Sequence, residues 1–202
     1  MVAESYIFDP MPDVEFNSYI LDETDTIVSV DPLWDQFAVE NNAPDAMAKN
    51  VIGRKVWDFV EGGETASYLS TLFYACRMDT EVFEILYRCD APEVQRLFRL
   101  SIHPDTKGGL ILKHVLVHTK ERLRTSKVTI FTDHFDHTRC SICCAFLIGK
   151  KWINTFTYPD SRYFAISYTV CPGCRDIARK KIDEVRNKGG DIGIVNFPMT
   201  DS

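Results

Sequence analysis

Two C-x-x-C pairs in the second half of the chain constrain its fold more than any other sequence feature. Cys140 and Cys143 form the first pair, and Cys171 and Cys174 form the second after 27 intervening residues. Zinc binds four thiolates at the corners of a tetrahedron, and a C-x-x-C turn presents two thiolates to one ion. The chain holds seven cysteines, an odd number, which favours metal ligands over a set of disulfides. We therefore predict a structural Zn2+ ion bound by these four cysteines.

The spacing leaves other uses of these cysteines open. An iron centre of the rubredoxin kind has the same spacing, although Arg175 stands where such a site usually has glycine. A redox-active C-x-x-C pair would need the strand-helix junction of a βαβ fold, for which the sequence shows no pattern. Cys144 could replace Cys143 as a ligand, and His137 could bind the metal or lie beside it. The two isolated cysteines are predicted to be ordinary buried thiols: Cys76 and Cys89.

The distribution of charge divides the chain into an acidic part and a basic part. The first 60 residues hold three Lys or Arg against twelve Asp or Glu, whereas residues 120–188 hold fourteen against seven. Hydrophobic residues make up 45% of the chain, which excludes a disordered chain. No apolar run approaches the ~20 residues of a membrane span, and residues 1–5 lack signal-peptide character. These features predict a soluble, cytoplasmic protein without membrane association.

Alternation of apolar and polar residues predicts five strands in the acidic half. Residues 19–21 and 27–30 are predicted to form a hairpin around an acidic turn, and short helical turns follow up to residue 60. Residues 64–78 are predicted to form a long helix with one apolar stripe. Three further strands are predicted as a meander over residues 82–87, 94–102 and 110–118.

This order of elements and two short motifs resemble a PAS domain. Asp31-Pro32-x-Trp34-x-x-Phe37 stands where the family commonly has an Asn-Pro-x-Phe stretch. Residues 51–59 contain the Ile-Gly-Arg segment that often precedes the family's long helix. The resemblance covers residues 17–118 and implies an α+β fold, with a five-stranded antiparallel sheet and helices over one face. It also implies a domain that senses a small ligand or dimerises.

The PAS resemblance implies a ligand pocket, for which a flavin (FAD or FMN) is one candidate. Five aromatic residues could wall an isoalloxazine ring, although such residues are more often only core: Trp34, Trp57, Phe59, Tyr68 and Phe73. Haem is the other candidate, since it needs an axial imidazole and three histidines lie in or beside the last predicted strands: His103, His114 and His118. The cysteine motif of blue-light PAS domains does not occur, so flavin-cysteinyl photochemistry is not expected.

The cysteine-rich half resembles a compact tail that follows PAS domains in some bacterial signalling proteins. In that tail a Trp-containing hairpin joins two C-x-x-C segments, and Trp152 is the matching residue. Short strands around this hairpin predict a zinc-ribbon-like module, which is followed by a helix over residues 175–186. The predicted domain organisation is an N-terminal arm (1–16), a PAS-like sensor domain (17–119), a linker (120–137), the zinc module with its helix (138–188) and a tail (189–202).

We expect a non-enzymatic protein, because the sequence shows no phosphate-binding glycine loop, no Gly-x-Ser-x-Gly and no His-Glu-x-x-His motif. Four thiolate ligands also leave zinc no open position for catalysis. The expected function is that of a stand-alone bacterial signal-transduction protein whose zinc module docks on a separate partner, such as a kinase or a transcription regulator. The alternatives are a flavin- or haem-binding redox or gas sensor, and a nucleic-acid-binding transcription regulator.

Two segments of the chain, the N-terminal arm and the C-terminal helix, are expected to contact other surfaces. A homodimer is expected because apolar residues of the arm need a surface to cover them: Tyr6, Ile7, Phe8, Met11, Val14 and Phe16. The C-terminal helix carries Arg175, Arg179 and Arg186, which could share one face and contact nucleic acid. Its apolar positions at i, i+4 and i+7 instead favour docking on a partner or on the other half of the chain. We expect this basic helix to contact the acidic half, within one chain or across a dimer.

Overall fold

A five-stranded antiparallel sheet forms the first half of the fold. The computed structural model describes residues 14–90, 94–121, 137–154 and 166–188. The strands are β1 Val14–Leu21, β2 Ile27–Val30, β3 Phe83–Arg88, β4 Val94–Pro104 and β5 Leu110–Glu121. They lie in the order β2-β1-β5-β4-β3. The predicted α+β class and its five-stranded antiparallel sheet are therefore confirmed, and each strand overlaps its predicted range.

One face of this sheet is buried because strand register aligns the apolar residues. Phe83 of β3 lies opposite Ile102 of β4, and Ile102 lies opposite Leu112 of β5. All three side chains are fully buried. Since side chains alternate between the two faces of a strand, the residues two positions away lie on the same buried face. This face forms the base on which the helices pack.

Helices and short turns cover the buried face. They are α1 Trp34–Glu40, α2 Ala48–Val51 and α3 Gly63–Asp79, with single 3-10 turns at Pro44–Ala46 and Val56–Phe59. α3 is the long helix that the sequence predicts, and its residues Leu72, Phe73 and Cys76 are at most 1% exposed. The helices therefore complete one hydrophobic core with the sheet.

The cysteine-rich half contains a second, smaller sheet and a long helix. Its strands are β6 His137–Cys140, β7 Phe146–Ile148, β8 Lys151–Ile153 and β9 Ile166–Thr169. Their order is β8-β7-β6-β9, and β6 pairs with β9 in parallel. Helix α4 follows β9 and spans Pro172–Lys188. A small sheet and a C-terminal helix thus agree with the predicted architecture.

The second C-x-x-C pair does not have the position that the predicted zinc-ribbon-like module gives it. It lies at the start of α4 rather than on a second β-turn, because α4 begins at Pro172, three residues before the predicted start. Proline is favoured in the first turn of a helix, because the N–H that proline lacks would have no hydrogen-bond acceptor within the helix at that position. The first strand of this half, β6, and its parallel pairing with β9 also have no counterpart in the sequence-based interpretation.

The two halves share one core. Ile142, Val170 and Ile182 of the cysteine-rich half belong to the same cluster of buried side chains as Leu72 and Phe73 of α3. The predicted division between residues 17–119 and 138–188 therefore separates two segments that pack on one another. β5 also continues to Glu121, into the predicted linker.

The predicted arm overlaps the sheet. Val14 to Phe16 belong to β1, where Val14 pairs with Leu116 of β5. The rest of the arm, residues 1–13, lies outside the described residues. So do residues 122–136 of the predicted linker and the tail, residues 189–202.

Helices α3 and α4 lie side by side and run in the same direction. Arg175 at the start of α4 forms an ion pair with Glu64 at the start of α3, with 2.8 Å between nitrogen and oxygen. Arg186 near the end of α4 forms an ion pair of 3.0 Å with Asp79 at the end of α3. The expected contact between the basic helix and the acidic half is therefore made within one chain.

Candidate metal centre

Two short structures bring the four cysteines together. Cys140 is the last residue of β6 and Cys143 lies in the turn that follows, while Cys171 directly precedes α4 and Cys174 lies in its first turn. β6 and β9 pair in parallel, with Cys140 opposite Thr169. Since Cys171 comes two residues after Thr169, this pairing places both C-x-x-C segments at the same end of the small sheet.

The geometry of the four sulfur atoms matches a tetrahedral metal site. The Sγ atoms of Cys140 and Cys174 are 3.9 Å apart, and those of Cys143 and Cys171 are 3.8 Å apart. All four lie within 4.8 Å of one another. A tetrahedron with Zn–S bonds of about 2.3 Å has edges of about 3.8 Å. The cluster could therefore hold a metal ion such as zinc.

Backbone hydrogen bonds form the turns that carry the ligands. The N–H of Cys144 donates to the carbonyl of Cys140 at 3.0 Å, which closes the first turn, and the N–H of Arg175 donates to the carbonyl of Cys171 at 3.1 Å. The N–H of Cys171 also approaches the Sγ of Cys140 at 3.4 Å. A backbone donor aimed at a sulfur stabilises its thiolate form, which is the form that binds a metal.

The four thiols perturb one another strongly. Hydrogen bonds from Cys143, and then from Cys171 and Cys174, lower the pKa of Cys140 well below its usual range. The hydrogen bonds with Cys140 raise the pKa of Cys143 and of Cys174. For Cys171 the hydrogen bond with Cys140 raises the pKa, but those with Cys143 and Cys174 outweigh it and lower the pKa to about 7. Without a cation, the cluster thus favours a thiolate at Cys140 and keeps Cys143 and Cys174 protonated. Binding of a metal ion must then release protons from the site.

Cys143, and not the adjacent Cys144, completes the cluster. Cys144 has a φ of 61°, in the left-handed region that non-glycine residues seldom adopt. Its Sγ lies 3.4 Å from the carbonyl oxygen of Arg88, and burial raises its pKa to about 11. The fifth sulfur of this region is therefore a buried, protonated thiol. The side chain of His137 lies outside the described residues, so its predicted part in the site stays a prediction.

The isolated cysteines occupy two different environments. Cys76 is fully buried, its Sγ lies 3.4 Å from the carbonyl of Ile102, and burial raises its pKa to about 12. It is an ordinary core thiol, as predicted. Cys89 is exposed, so the prediction of burial is wrong for this residue. The reason is its place directly after β3, where the chain leaves the sheet.

The predicted cofactor residues contact other side chains and backbone groups of the protein. Trp57 packs on Phe73 with 5.4 Å between ring centroids, and its indole N–H donates to Asp25 at 3.0 Å. Phe59 is 41% exposed and lies under the guanidinium of Arg54. These contacts give the predicted flavin site no support.

Trp34 and Tyr68 have different neighbours. The indole N–H of Trp34 donates to the carbonyl of Ala46 at 2.6 Å. Tyr68 lies beside the cysteine cluster, where burial, and then the charge of Cys174, Cys140 and Cys171, raises its pKa. Tyr68 is therefore close enough to the candidate metal site for its pKa to respond to the cysteine thiolates.

A buried network of charges next to the cluster has no counterpart in the sequence analysis. Arg88 at the end of β3 forms an ion pair with Asp90, whose side chain is completely buried. Asp90 also lies 3.8 Å from Arg139 of β6. A cavity of about 230 Å³ beside Cys140 is lined by these three residues. Its charged wall does not suit a flat apolar ring system.

A second unpredicted cluster lies on the buried face of the large sheet. The hydroxyl of Tyr87 lies 2.7 Å from Nδ1 of His114, and Tyr19 stacks on the other side of the imidazole. Burial lowers the pKa of His114 to about 4, so the ring is neutral at pH 7. Asn17 lies opposite His114 in the strand register, and its Oδ1 is buried without a hydrogen-bond partner among the described residues. The inward position of His114, two residues after Leu112, is the sequence signal for this cluster.

The arginines considered for nucleic-acid binding face acidic side chains. Arg175 pairs with Glu64, Arg186 pairs with Asp79, and Arg179 lies 3.3 Å from Asp176. Their charges are thus partly neutralised within the chain, which reduces the support for a nucleic-acid interface on α4.

Sequence comparisons leave the family open. No model of a known protein family matches this chain, and no curated protein matches it either. In the part of the chain that the structure describes, every helix is too short or too polar to cross a bilayer. The class that the fold and site define is therefore an α+β protein whose C-terminal half carries a four-cysteine cluster suited to a metal ion.

Proposed function

We propose that this chain is a non-enzymatic signal-transduction protein, in which a PAS-like sensing and dimerisation domain is coupled to a structural zinc module that docks on a partner regulator. The observation that carries the proposal is the position of the cysteine cluster. Cys140, Cys171 and Cys174 belong to the same hydrophobic core as α3 and the large sheet. A metal ion at this place would hold the two halves of the core together.

The character of the cluster supports a structural role for its metal. Three of the four cysteines are buried and the fourth, Cys143, is only partly exposed. Four thiolates complete a tetrahedral zinc shell, whereas a catalytic zinc needs an open position for water or substrate. In this proposal the zinc contributes folding free energy to the cysteine-rich half and takes no part in a reaction.

Contacts between the halves support the proposed coupling. The N–H of Arg88, at the end of β3, donates to the carbonyl of Ile142 inside the first C-x-x-C turn at 2.8 Å. The hydroxyl groups of Thr65 in α3 and Ser141 in the same turn lie 2.9 Å apart. A change in the position of β3 or α3 would therefore move the turn that carries two of the metal ligands.

The cluster around His114 supports the sensing part of the proposal. Asn17 and His114 place polar atoms on a sheet face that is otherwise apolar, and buried polar groups are normally hydrogen-bonded. In this proposal a small ligand or a buried water molecule satisfies Asn17. Mass spectrometry of small molecules released by denaturing the purified protein tests this part, and a protein that releases none would leave dimerisation as the domain's only proposed role.

Metal analysis combined with hydrogen exchange of the full chain tests the proposal. We expect one zinc ion per chain and a protein without the visible absorption of an iron-thiolate centre. Removal of zinc by a chelator should increase amide exchange in β6 and α4, and also at the end of β3 and in the first two turns of α3. The β1–β2 hairpin, which is remote from the cluster in the strand order, serves as the internal control.

Two outcomes would contradict the proposal. A chain that binds no metal with these cysteines has no zinc module. A chain that binds zinc, but whose β3 and α3 exchange at unchanged rates after zinc removal, has a metal site that is not coupled to the PAS-like domain. The Cys89→Ser variant is the matched control for cysteine loss, because Cys89 is exposed and outside the cluster.

A further inference from the structure

A groove runs between the parallel helices α3 and α4. It has a volume of about 360 Å³, and Tyr68, Ala178 and Ile182 form its apolar floor. The hydroxyl residues Ser67 and Thr71 of α3 line one wall. No residue of the groove is a predicted metal ligand, although Tyr68 lies beside the cysteine cluster.

The α3 wall of the groove continues along one exposed face of the helix, which ends in two large apolar side chains. Ser67, Thr71, Tyr74 and Met78 are spaced by four, three and four residues, which places them on one face of a helix. Tyr74 is 62% exposed and Met78 is 61% exposed. This face therefore leads from the floor of the groove towards the C-terminal ends of both helices.

The groove does not have a strong charge of one sign. The groove is lined by three arginines and two acidic residues, and two of the arginines pair with Glu64 and Asp79 at its two ends. A strongly acidic partner would have to compete with these ion pairs. The surface instead suits an extended apolar segment with few charges.

The chain supplies such a segment directly after the groove. α4 ends at Lys188, two residues after Arg186 of the groove wall, and Gly189 and Gly190 follow. Two glycines permit a sharp reversal of the chain, because glycine adopts positive φ without strain. The next nine residues, 191–199, are Asp-Ile-Gly-Ile-Val-Asn-Phe-Pro-Met. They carry five large apolar side chains and one charge, and Pro198 and Gly193 disfavour a helix.

The length of this segment matches the length of the groove. A helix of 17 residues such as α4 is about 25 Å long at 1.5 Å per residue, and nine extended residues span about 30 Å. After a reversal at Gly189 and Gly190, the segment would run antiparallel to α4. It would pass Met78 and Tyr74 before it reaches the floor at Ile182 and Ala178.

We propose that residues 191–199 dock in the α3–α4 groove of their own chain and cover Tyr74, Met78 and the apolar floor. Asp191 then lies at the end of the groove that carries Arg186. Because the segment is tethered by two glycines, its effective concentration at the groove is in the millimolar range. Weak apolar contacts are therefore enough to keep the groove covered, and a partner that binds this face has to displace the tail.

Site-specific photo-crosslinking in the full chain tests this proposal. A p-benzoylphenylalanine residue replaces Thr71, which is exposed and lines the groove. Residues 189–202 contain no Lys or Arg, so trypsin releases them as one peptide after Lys188. We expect this peptide to be the main crosslinked product, with a yield that does not depend on protein concentration. The same photo-reactive residue at Lys180, which is exposed on α4 outside the groove, should give at least tenfold less of this product.

Matched tail variants separate docking from chance proximity. Ile194→Asp combined with Val195→Asp should lower the crosslink yield at least tenfold, because two carboxylates then replace apolar side chains that the proposal places on the floor of the groove. Thr200→Asp adds charge beyond the apolar segment and should leave the yield unchanged. A product that joins two chains and increases with concentration would assign the groove to a second copy and overturn the proposal. The absence of any tail crosslink, or equal yields from all variants, would overturn it as well.

Discussion

The guanidinium of Arg88 donates a hydrogen bond to the backbone carbonyl of the metal-ligand candidate Cys143, with 3.1 Å between nitrogen and oxygen. The same group donates to Oδ1 of Asn154 and forms an ion pair with Asp90. The last residue of β3 thus holds both the first C-x-x-C turn and the chain after the β7–β8 hairpin. This contact makes the end of the large sheet a direct support of the cysteine cluster.

Replacement of one ligand should unfold the cysteine-rich half. Cys171→Ser should abolish stoichiometric zinc binding and increase amide exchange throughout α4 and β6. Structural zinc sites contribute about 10–16 kcal/mol of apparent binding free energy, all of it coupled to folding. Metal analysis and hydrogen exchange measure both effects. A Cys171→Ser protein that retains one zinc ion and normal exchange in α4 would show that Cys171 is not a ligand.

Loss of Arg88 should be costly because it leaves Asp90 without its closest partner. The side chain of Asp90 is completely buried and that of Arg88 is 12% exposed. Removing one partner of a buried ion pair costs about 3–5 kcal/mol. Urea unfolding of zinc-loaded Arg88→Met should show a decrease of this size in the free energy of unfolding.

The matched control is Arg54→Met, which removes an exposed ion pair between Arg54 and Asp58. Exposed pairs contribute about 0–1 kcal/mol. Similar losses for the two variants would mean that the charges around Asp90 do not stabilise the junction between β3 and the first C-x-x-C turn.

Protonation of His114 should destabilise the fold in mildly acidic solution. Burial lowers the pKa of this imidazole from 6.5 to about 4, so the unfolded chain binds a proton before the folded chain does. The stabilisation is therefore present above pH 6.5 and is lost as the pH falls towards 4. Between pH 7.5 and 5 the loss should be about 2 kcal/mol, at 1.36 kcal/mol per pKa unit.

The His114→Phe variant isolates this contribution from the acid sensitivity of the metal site. Wild type and variant both keep the four cysteines. The change in unfolding free energy between the two pH values is compared for the two proteins, and the difference between these changes is due to residue 114. Urea titrations at pH 7.5 and pH 5 measure it. The same pH dependence in both proteins would show that His114 is not the responsible group.

Deletion of residues 1–13 tests the expected homodimer. These residues include the apolar Tyr6, Ile7, Phe8 and Met11, and burial of one such side chain contributes roughly 1.5–3 kcal/mol. The deletion leaves β1 intact, because this strand begins at Val14. We expect sedimentation to show a dimer for the full chain and a monomer for the shortened chain, both with unchanged zinc content. A full chain that is already monomeric at micromolar concentration would contradict the dimer.

Local sequence patterns determine the elements of this fold. The five strands and α3 are predictable because period-two and helical spacings of apolar residues reflect which side of each element is buried. The two C-x-x-C pairs are also local patterns, so they indicate which part of the chain can bind a metal ion. These features depend on residues that are at most one turn apart, so the sequence alone specifies them.

Only the tertiary structure decided which side chains act together. The backbone at Cys144 turns this thiol to the carbonyl of Arg88, so the choice between Cys143 and Cys144 depends on a residue 56 positions earlier, at the end of β3. The proximity of Tyr68 to the cysteine cluster likewise depends on how the remote segment from Cys171 into α4 packs against α3. The approach of Arg139 to Asp90 joins groups that are solvated in an unfolded chain. Such contacts arise from register and docking between remote segments, and no local spacing encodes them.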